Sequence, residues 1–304
     1  MTQIEISDSP IDILRSALRE LAQHRARPCL AIIGEIDRSA VQAALGAIGG
    51  LDAPAIDMIV SGPGGDIEAA YLMARTLRRR FRIDAAYVPW LAKSASTMLC
   101  LAADEIVLAE LGELGPLDAQ SPAGSALAPF KLLEQVSDAV AQGLRRNRGA
   151  LQAGSARHQA NQEAAEVAGA IVRSAISPID ALRLAEAARA LEEAEAFCER
   201  LFRRYRSEIY ANSASIVHRL IHQYPCHSFP IDLEELHDLG LPARAANKEE
   251  EPILHTTAEA IAKLGEEFRL LEVGVPMEPA PADSSRPNGH DSERSSEGGS
   301  VISL

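Results

Sequence analysis

The stretch Ser61-Gly-Pro-Gly-Gly65 follows the apolar run Ile56–Val60 and precedes a helical pattern that begins near Asp66. A glycine turn between a strand and a helix leaves backbone N–H groups unshielded by any Cβ, and such groups are suited to hold an anion. A second stretch, Lys93-Ser-Ala-Ser-Thr-Met-Leu-Cys-Leu-Ala-Ala-Asp104, puts small hydroxyl residues at the start of an apolar helix, directly after a strand-like run. One unit offers N–H donors and the other a serine, which are the parts of an acyl-transfer site.

Strand-like and helix-like patterns alternate around these two motifs. The predicted strands are 29–33, 56–60, 83–88 and 105–109, and the predicted helices are 10–25, 38–48, 66–80 and 94–103. Such alternation predicts an α/β fold whose strands are mostly parallel, with a ligand site beyond their carboxyl ends. Both motifs occupy that position.

The character of the chain changes after the core pattern. Residues 127–220 are helical in pattern, 223–242 form a turn and a helix, and 256–272 predict one further helix. From Pro276 onward Pro, Ser, Gly, Asp and Glu dominate, so a disordered tail is expected. The predicted organisation is an N-terminal helix (1–27), one core domain (28–245), a C-terminal helix (246–275) and the tail (276–304).

Composition excludes several classes of function. The chain has 304 residues and a net charge of −13, which argues against a nucleic-acid partner because phosphate contacts need clustered Lys and Arg. The basic run Arg78-Arg79-Arg80 is interpreted as a solvated helix end. The four cysteines show no CxxC spacing, and neither a signal peptide nor a membrane-length apolar run is visible. A cytoplasmic protein is therefore expected.

Several ordered blocks carry a resemblance to a known family. The blocks are Ser61–Gly65, Ala92-Lys-Ser94, Leu101-Ala-Ala-Asp-Glu-Ile106, Leu114-Gly-Pro-Leu-Asp-Ala-Gln120 and, downstream, Cys226-His-Ser-Phe-Pro-Ile-Asp-Leu-Glu-Glu-Leu-His-Asp-Leu-Gly240. Together they resemble the Clp/crotonase-fold serine proteinases. The nearest branch is the serine dehydrogenase (SDH) proteinase family, which is related to signal peptide peptidase A. The similarity covers roughly residues 28–245.

The resemblance implies a fold, an activity and a set of site residues. It implies a ClpP/crotonase-like core of repeated strand–helix units with a helical C-terminal part. Counting back from Asp104 of the "AAD" block, it identifies Ser94 as the nucleophile, with the N–H groups of Gly65 and Ala95 as the oxyanion hole. It requires no cofactor and no metal, and it implies a peptide or protein substrate and a homo-oligomer. The alternative interpretation of Ser94 is a helix N-cap.

The chain departs from the family pattern at two points. The family has Ser-Gly-Gly where this chain has Ser94-Ala-Ser96, and Ser96 is a rival nucleophile. No histidine lies in 114–120, and Arg145-Arg146 stands where a catalytic lysine is expected. Arginine stays protonated and is no base. Lys131 and His227 remain as candidate general bases, and Lys93 is expected to point away from Ser94.

Other polar residues have weaker claims to a role. Asp104 and Asp118 are candidates to orient a base or a substrate, although a turn-stabilising role is the more common one. His218 and His222 have the i,i+4 spacing of a metal site, but no third ligand is visible in the sequence, so no metal is predicted. The predicted function is a serine-type peptidase that hydrolyses peptide bonds. The alternatives are a non-catalytic assembly or binding protein of the same fold and a crotonase-type acyl-CoA enzyme.

Overall fold

The structure is a computed structural model that describes residues 9–117, 120–121, 124–150, 166–167, 169–170, 173–174, 181–265 and 269–276. The predicted tail beyond residue 276 and Asp118 lie outside the described residues.

Helices and strands alternate through the first part of the chain. The helices are α1 (Pro10–Arg25), α2 (Arg38–Ala47), α3 (Ile67–Arg80), α4 (Ala95–Cys100), α5 (Ala128–Ala150), α6 (Ala181–Tyr205), α7 (Ser213–His218), α8 (Leu233–Asp238) and α9 (Glu250–Leu264). The strands are β1 (Cys29–Ile33), β2 (Ala55–Ser61), β3 (Arg82–Val88), β4 (Leu91–Ala92), β5 (Glu105–Leu108), β6 (Glu113–Leu114), β7 (Gln120–Ser121), β8 (Gly124–Ser125), β9 (Ala243–Ala245) and β10 (Leu270–Gly274). The α/β alternation predicted for residues 29–109 is confirmed.

The main sheet has six strands in the order β10-β1-β2-β3-β5-β9. Every neighbouring pair from β1 to β9 is parallel, and only β10 runs antiparallel to its neighbour β1. Ile33 pairs with Ser61, so β1 and β2 end together immediately before the glycine turn. The mostly parallel sheet is therefore confirmed, and the turn lies at its carboxyl edge.

Helices cover both faces of this sheet. Alternate side chains of a strand point to opposite faces, so Ala31 and Ile33 join a core with α1 and α9, whereas Leu30 and Ile32 join the larger core with α2, α3, α4 and α6. The strands β1 to β3 are buried almost throughout. Burial on both faces explains why β1 is a continuous apolar run in the sequence and why β2 and β3 are mostly apolar.

The predicted helix 256–272 is wrong at its C-terminal end. Helix α9 ends at Leu264, and Gly265 adopts φ +81°. The segment Leu270–Gly274 is strand β10, which pairs along β1 from Cys29 to Ile33. A Cβ on Gly274 would lie 2.7 Å from the carbonyl oxygen of Leu18, so glycine permits the close packing of β10 against α1. Apolar residues here complete the edge of the sheet and not a helix face.

Two other helical predictions differ from the structure in detail. Helix α4 is only six residues, shorter than the predicted 94–103. Within 127–220, a 3-10 helix (Tyr210–Asn212) precedes α7, and a π-helical turn (Arg219–Gln223) continues it. Among the described residues no helix combines the length and the hydropathy that crossing a membrane requires.

Candidate active site

Backbone hydrogen bonds join the two sequence motifs directly. The N–H of Gly62 donates to the carbonyl of Leu91 at 2.8 Å, and the N–H of Lys93 donates back to the carbonyl of Gly62 at 3.0 Å. The Ser61 hydroxyl also donates to the Leu91 carbonyl, at 3.1 Å. The glycine turn and the start of α4 are therefore held side by side, as the acyl-transfer hypothesis requires.

Ser94 occupies a strained turn between β4 and α4. Its backbone has φ +50° and ψ −116°, a region that residues with a Cβ rarely adopt. Ser94 is at the N-cap position, but its side chain makes no capping hydrogen bond with α4. The N-cap interpretation therefore loses its support. A half-buried serine on a strained strand-to-helix turn is the geometry in which hydrolases expose a nucleophilic hydroxyl.

The glycine turn reaches Ser94 only because it lacks side chains. Gly64 adopts φ +113°, and a Cβ on it would lie 2.8 Å from both the Cβ of Ser94 and the carbonyl oxygen of Lys93. Gly65 adopts φ +134°, and a Cβ there would lie 2.2 Å from the carbonyl oxygen of Ile36. Both positions thus demand glycine on conformational and on steric grounds.

The two predicted oxyanion donors are available for a ligand. Hydrogen bonds flank the Gly65 N–H: Ile36 donates to the Gly64 carbonyl, and Asp66 donates to the Ile36 carbonyl, both at 2.7 Å. The N–H groups of Gly65 and Ala95 themselves donate to no group in the described part of the chain. Unpaired N–H groups beside a serine are suited to bind the oxygen of a tetrahedral intermediate.

Ser96 and Thr97, the two hydroxyl residues that follow Ser94 closely, are both buried. Ser96 is 1% exposed, and its hydroxyl lacks a hydrogen-bond partner among the described residues. Thr97 is fully buried; its hydroxyl lies 2.8 Å from the carbonyl oxygens of Ala92 and Gly115 and accepts the Gly115 N–H at 3.2 Å. Burial keeps Ser96 away from a substrate, whereas Thr97 ties α4 to the neighbouring segments.

Lys93 points away from the serine, as expected. Its ammonium group forms an ion pair with Glu113 at 2.6 Å and donates to the Leu114 carbonyl at 3.1 Å. A Cβ on Gly115 would lie 2.4 Å from the Cδ of Lys93, so this glycine leaves room for the lysine stem. These contacts fix the Lys93 side chain against β6.

A cleft of about 310 Å³ opens at Ser94. Its lining residues are Pro63, Gly65, Asp66, Ile67, Ser94, Leu117, Ala190, Glu193, Ala194 and His227. The structure thus brings Ser94, Gly65 and the candidate base His227 to one cavity, although His227 is far away in the sequence. The cleft wall supplied by α6 was missed in the sequence, because only the tertiary packing of α6 reveals it.

Lys131, the other candidate base, is committed to a different contact. It lies on α5, and its ammonium group donates to the carbonyl of Tyr224 at 2.6 Å. It does not line the Ser94 cleft. Of the two candidate bases, the structure therefore brings His227 to the cleft with Ser94 and leaves Lys131 outside it.

Two carboxylates of the cleft have local partners. Asp66 caps α3 by accepting the N–H groups of Glu68 at 2.8 Å and Ala69 at 3.3 Å. Glu193 pairs with Arg189 one turn earlier on α6, at 2.7 Å, where both side chains are well exposed. Each of the two carboxylates therefore already has partners within the element that carries it.

Two arginines hold the far end of α4. Arg206 is fully buried and donates to the carbonyls of Leu101 at 3.0 Å, of Ala103, and of Asp104 at 3.1 Å. Burial lowers the pKa of Arg206, against the opposing effect of its ion pair with Glu208. Arg78 donates to the Ala102 carbonyl at 2.6 Å and pairs with the Asp104 carboxylate.

This arrangement corrects two expectations from the sequence. The Arg78 side chain is only 6% exposed and stabilises the end of α4, so the solvated helix-end interpretation is wrong for it. Asp104 pairs with Arg78 beyond the C-terminal end of α4, opposite the end at which Ser94 stands. A role for Asp104 in orienting a base therefore has no support in the geometry.

Buried cysteines do not compete with Ser94 as nucleophiles. Cys29, Cys100 and Cys198 are free, fully buried thiols, and burial raises the pKa of each of them. Because the thiolate is the reactive form, these groups are inert at neutral pH.

Comparisons with known proteins agree with this geometry over part of the chain. Residues 31–142 match the family model described as ClpP-like SDH-type serine proteinase. The matched segment includes Ser94, Gly65 and Ala95, whereas His227 lies beyond it. An uncharacterized protein of Methanocaldococcus jannaschii is 38% identical over 80 residues, which are 26% of this chain and 28% of that relative. The chain therefore spans little more than a quarter of the relative it matches, and the relative's name assigns no activity.

Proposed function

We propose that the chain, whose residues 31–142 match the SDH-type serine proteinase model, is a serine-type peptidase that hydrolyses peptide bonds at Ser94. The observation that carries the proposal is the strained Ser94 turn, which shares one cleft with Gly65 and His227. A strained residue persists only where its surroundings enforce it, and such residues cluster at active sites. The family match supports the same chemistry.

The proposed reaction has two steps. In the first, His227 removes the proton of the Ser94 hydroxyl while the oxygen attacks the scissile carbonyl. The N–H groups of Gly65 and Ala95 stabilise the oxyanion, and His227 then protonates the leaving amine. In the second step, His227 takes a proton from a water molecule, whose oxygen attacks the acyl-enzyme, and then returns that proton to the Ser94 oxygen as the acyl group leaves it.

His227 is preferred to Lys131 as the base because of where the two side chains lie. His227 lines the Ser94 cleft and is half-buried, whereas Lys131 donates to the Tyr224 carbonyl outside it. Histidine also exchanges protons near neutral pH without requiring burial to adjust it. Lys131 remains the alternative base to be tested.

Labelling with a fluorophosphonate probe tests the nucleophile. We expect the purified protein to be labelled, Ser94→Ala to lose the label, and Ser96→Ala to keep it. Loss in Ser96→Ala alone would move the nucleophile. No labelling of the folded wild-type protein would contradict the peptidase proposal and favour a non-catalytic binding role, and binding of a CoA thioester by that unlabelled protein would favour the acyl-CoA alternative.

Rate measurements with the same probe test the base. We expect His227→Gln to slow labelling by about 100-fold or more, since general-base catalysis typically contributes that much. His237→Gln is the matched control, because His237 contacts the Ala243 carbonyl at 2.9 Å and does not line the cleft. An unchanged rate in His227→Gln with a large loss in Lys131→Met would reassign the base to Lys131.

We also propose that the protein forms a homo-oligomer through its helical segments. Leu132 on α5 and Leu182 on α6 are 41% and 66% exposed, so each of the two long helices carries an exposed apolar side chain that a subunit contact would cover. Light scattering is expected to give a multiple of the 32.6 kDa chain mass. A monomer at micromolar concentration would contradict this proposal without touching the one on Ser94.

A further inference from the structure

Three potential metal ligands meet on the outer side of α6. Glu195 of α6 contacts His222 of the π-helical turn, with 2.6 Å between the Glu195 Oε1 and the His222 Nε2. The ring of His218, at the end of α7, lies beside that of His222, with 4.8 Å between the ring centroids and an angle of 35° between the ring planes. One ligand atom from each of the three side chains lies within 4.8 Å of the others. The third ligand that the sequence did not reveal is therefore present.

We propose that Glu195, His218 and His222 bind a Zn²⁺ ion, with water as the fourth ligand. Two imidazoles and one carboxylate form a ligand set that zinc accepts in tetrahedral sites. Ca²⁺ and Mg²⁺ prefer all-oxygen ligands, so the two imidazoles select against them. The inference does not depend on the proposed peptidase activity.

The side chains have the freedom that metal binding needs. The Glu195 side chain is 40% exposed, the His222 side chain is 28% exposed, and His218 is exposed. Tetrahedral zinc bonds of about 2.0–2.2 Å require ligand atoms about 3.4 Å apart. The 2.6 Å contact between Glu195 and His222 must therefore open by roughly 0.8 Å, which side-chain rotation at a partly exposed position allows.

The local backbone brings the ligands together. His218 is the last residue of α7, and His222, four residues later, lies within the π-helical turn Arg219–Gln223. Such turns are rare in helices and are frequent at functional sites. The buried neighbours Leu220 and Ile221 anchor the turn in the core, so the two imidazoles are presented from a fixed backbone.

A bound ion would link α6, which lines the Ser94 cleft, to the π-helical turn, which supports another lining residue of that cleft. Ala194, next to Glu195, lines the cleft. Leu117 also lines it, and its N–H donates at 2.8 Å to the carbonyl of Leu220, within the turn that carries His222. The ion would sit outside the cleft and act as a structural cross-link between α6 and the turn.

Calorimetric titration of chelator-treated protein with ZnCl₂ tests the proposal. We expect one ion per chain, with affinity about 100-fold weaker in His222→Gln and in Glu195→Gln. His255→Gln is the matched control: His255 faces Glu259 at 3.4 Å with i,i+4 spacing but offers only two ligands. Circular dichroism of each variant checks that the fold is intact, and the exposed His218→Gln provides a second variant should His222→Gln fail to fold.

Cobalt provides a second measurement that is independent of enzyme activity. Co²⁺ in place of zinc is expected to give the visible absorption of a four-coordinate site, lost in His218→Gln and kept in His255→Gln. Zinc binding that is unchanged in all three ligand variants would overturn the proposal, as would an absence of binding by the wild-type protein. If the wild-type protein binds zinc but is not labelled at Ser94, the result counts only against the proposed peptidase activity.

Discussion

The two ends of helix α4 are treated in opposite ways. Beyond its C-terminal end, Arg78 and Arg206 donate to the carbonyls of the turn Leu101–Asp104, which directly follows the helix. At its N-terminal end, Ser94 caps nothing, and the Ala95 N–H has no partner in the described part of the chain. Helix ends always leave such groups to be satisfied from outside. The difference indicates that the fold anchors one end of the helix so that the other can stay open for a ligand.

Removing the deeper anchor is expected to have the largest effect. Arg206→Met removes the donor from the buried carbonyls of Leu101 and Ala103 and from the partly buried carbonyl of Asp104, so we expect the free energy of unfolding to fall by about 3–5 kcal/mol. Unfolding in denaturant measures this change in the free energy of unfolding. The exposed Arg203, in the last turn of α6 just before Arg206, provides the control Arg203→Met, for which a change below about 0.5 kcal/mol is expected. Equal effects in the two variants would show that Arg206 does not anchor α4.

A side chain at the open end should disturb both stability and labelling. Gly64→Ala puts a Cβ within 2.8 Å of Ser94 at a φ of +113°, so we expect a loss of about 2–3 kcal/mol and a loss of probe labelling. Gly46→Ala is the matched control, because no atom lies within 4 Å of its added Cβ and α2 gains a better helix former. A stable, labelled Gly64→Ala protein would mean that the turn does not pack against Ser94.

The second arginine is expected to matter less than Arg206. Arg78→Met removes one hydrogen bond to the Ala102 carbonyl and one ion pair with a partly exposed Asp104, for an expected loss of about 1–2 kcal/mol. The neighbouring Arg79→Met, at an exposed position, should leave the unfolding midpoint unchanged. A larger loss for Arg78→Met than for Arg206→Met would reverse the ranking of the two anchors.

A small gain in stability is expected within the helix itself. The Ser96 hydroxyl is buried without a partner, so Ser96→Ala should stabilise the fold by about 1 kcal/mol. Thermal unfolding and probe labelling are measured together. A destabilised variant would show that the hydroxyl has a partner after all, and a loss of label would give Ser96 a part in catalysis.

The core of the fold could be predicted from sequence because its signals are local. The continuous apolar run 29–33 and the mostly apolar run 56–60 reflect strands buried on both faces, and the turns between strands and helices carry glycine or polar residues. The strand Leu270–Gly274 could not be predicted in this way, because it is defined only by its pairing with the neighbouring strand β1, which comes from the opposite end of the sequence.

The candidate site divides along the same line. Ser94, Gly65 and Ala95 are implied by the resemblance of short local motifs to a known family. The meeting of His227 with Ser94 in one cleft depends on how the segment after α7 packs against the sheet, and no local pattern reports such packing. The hydrogen bonds from Arg206 to the turn after α4 could not be predicted either, since about a hundred residues separate the partners.

The backbone of Ser94 has a consequence for how this protein responds to selection. A residue held at φ +50° destabilises the native state, and glycine adopts that conformation without the same penalty. In a library screened only for heat resistance, Ser94→Gly should therefore be enriched. A library screened for fluorophosphonate labelling should remove it, because activity and stability place opposite demands on one position. The contrast between the two screens would locate the reactive residue without any knowledge of the substrate.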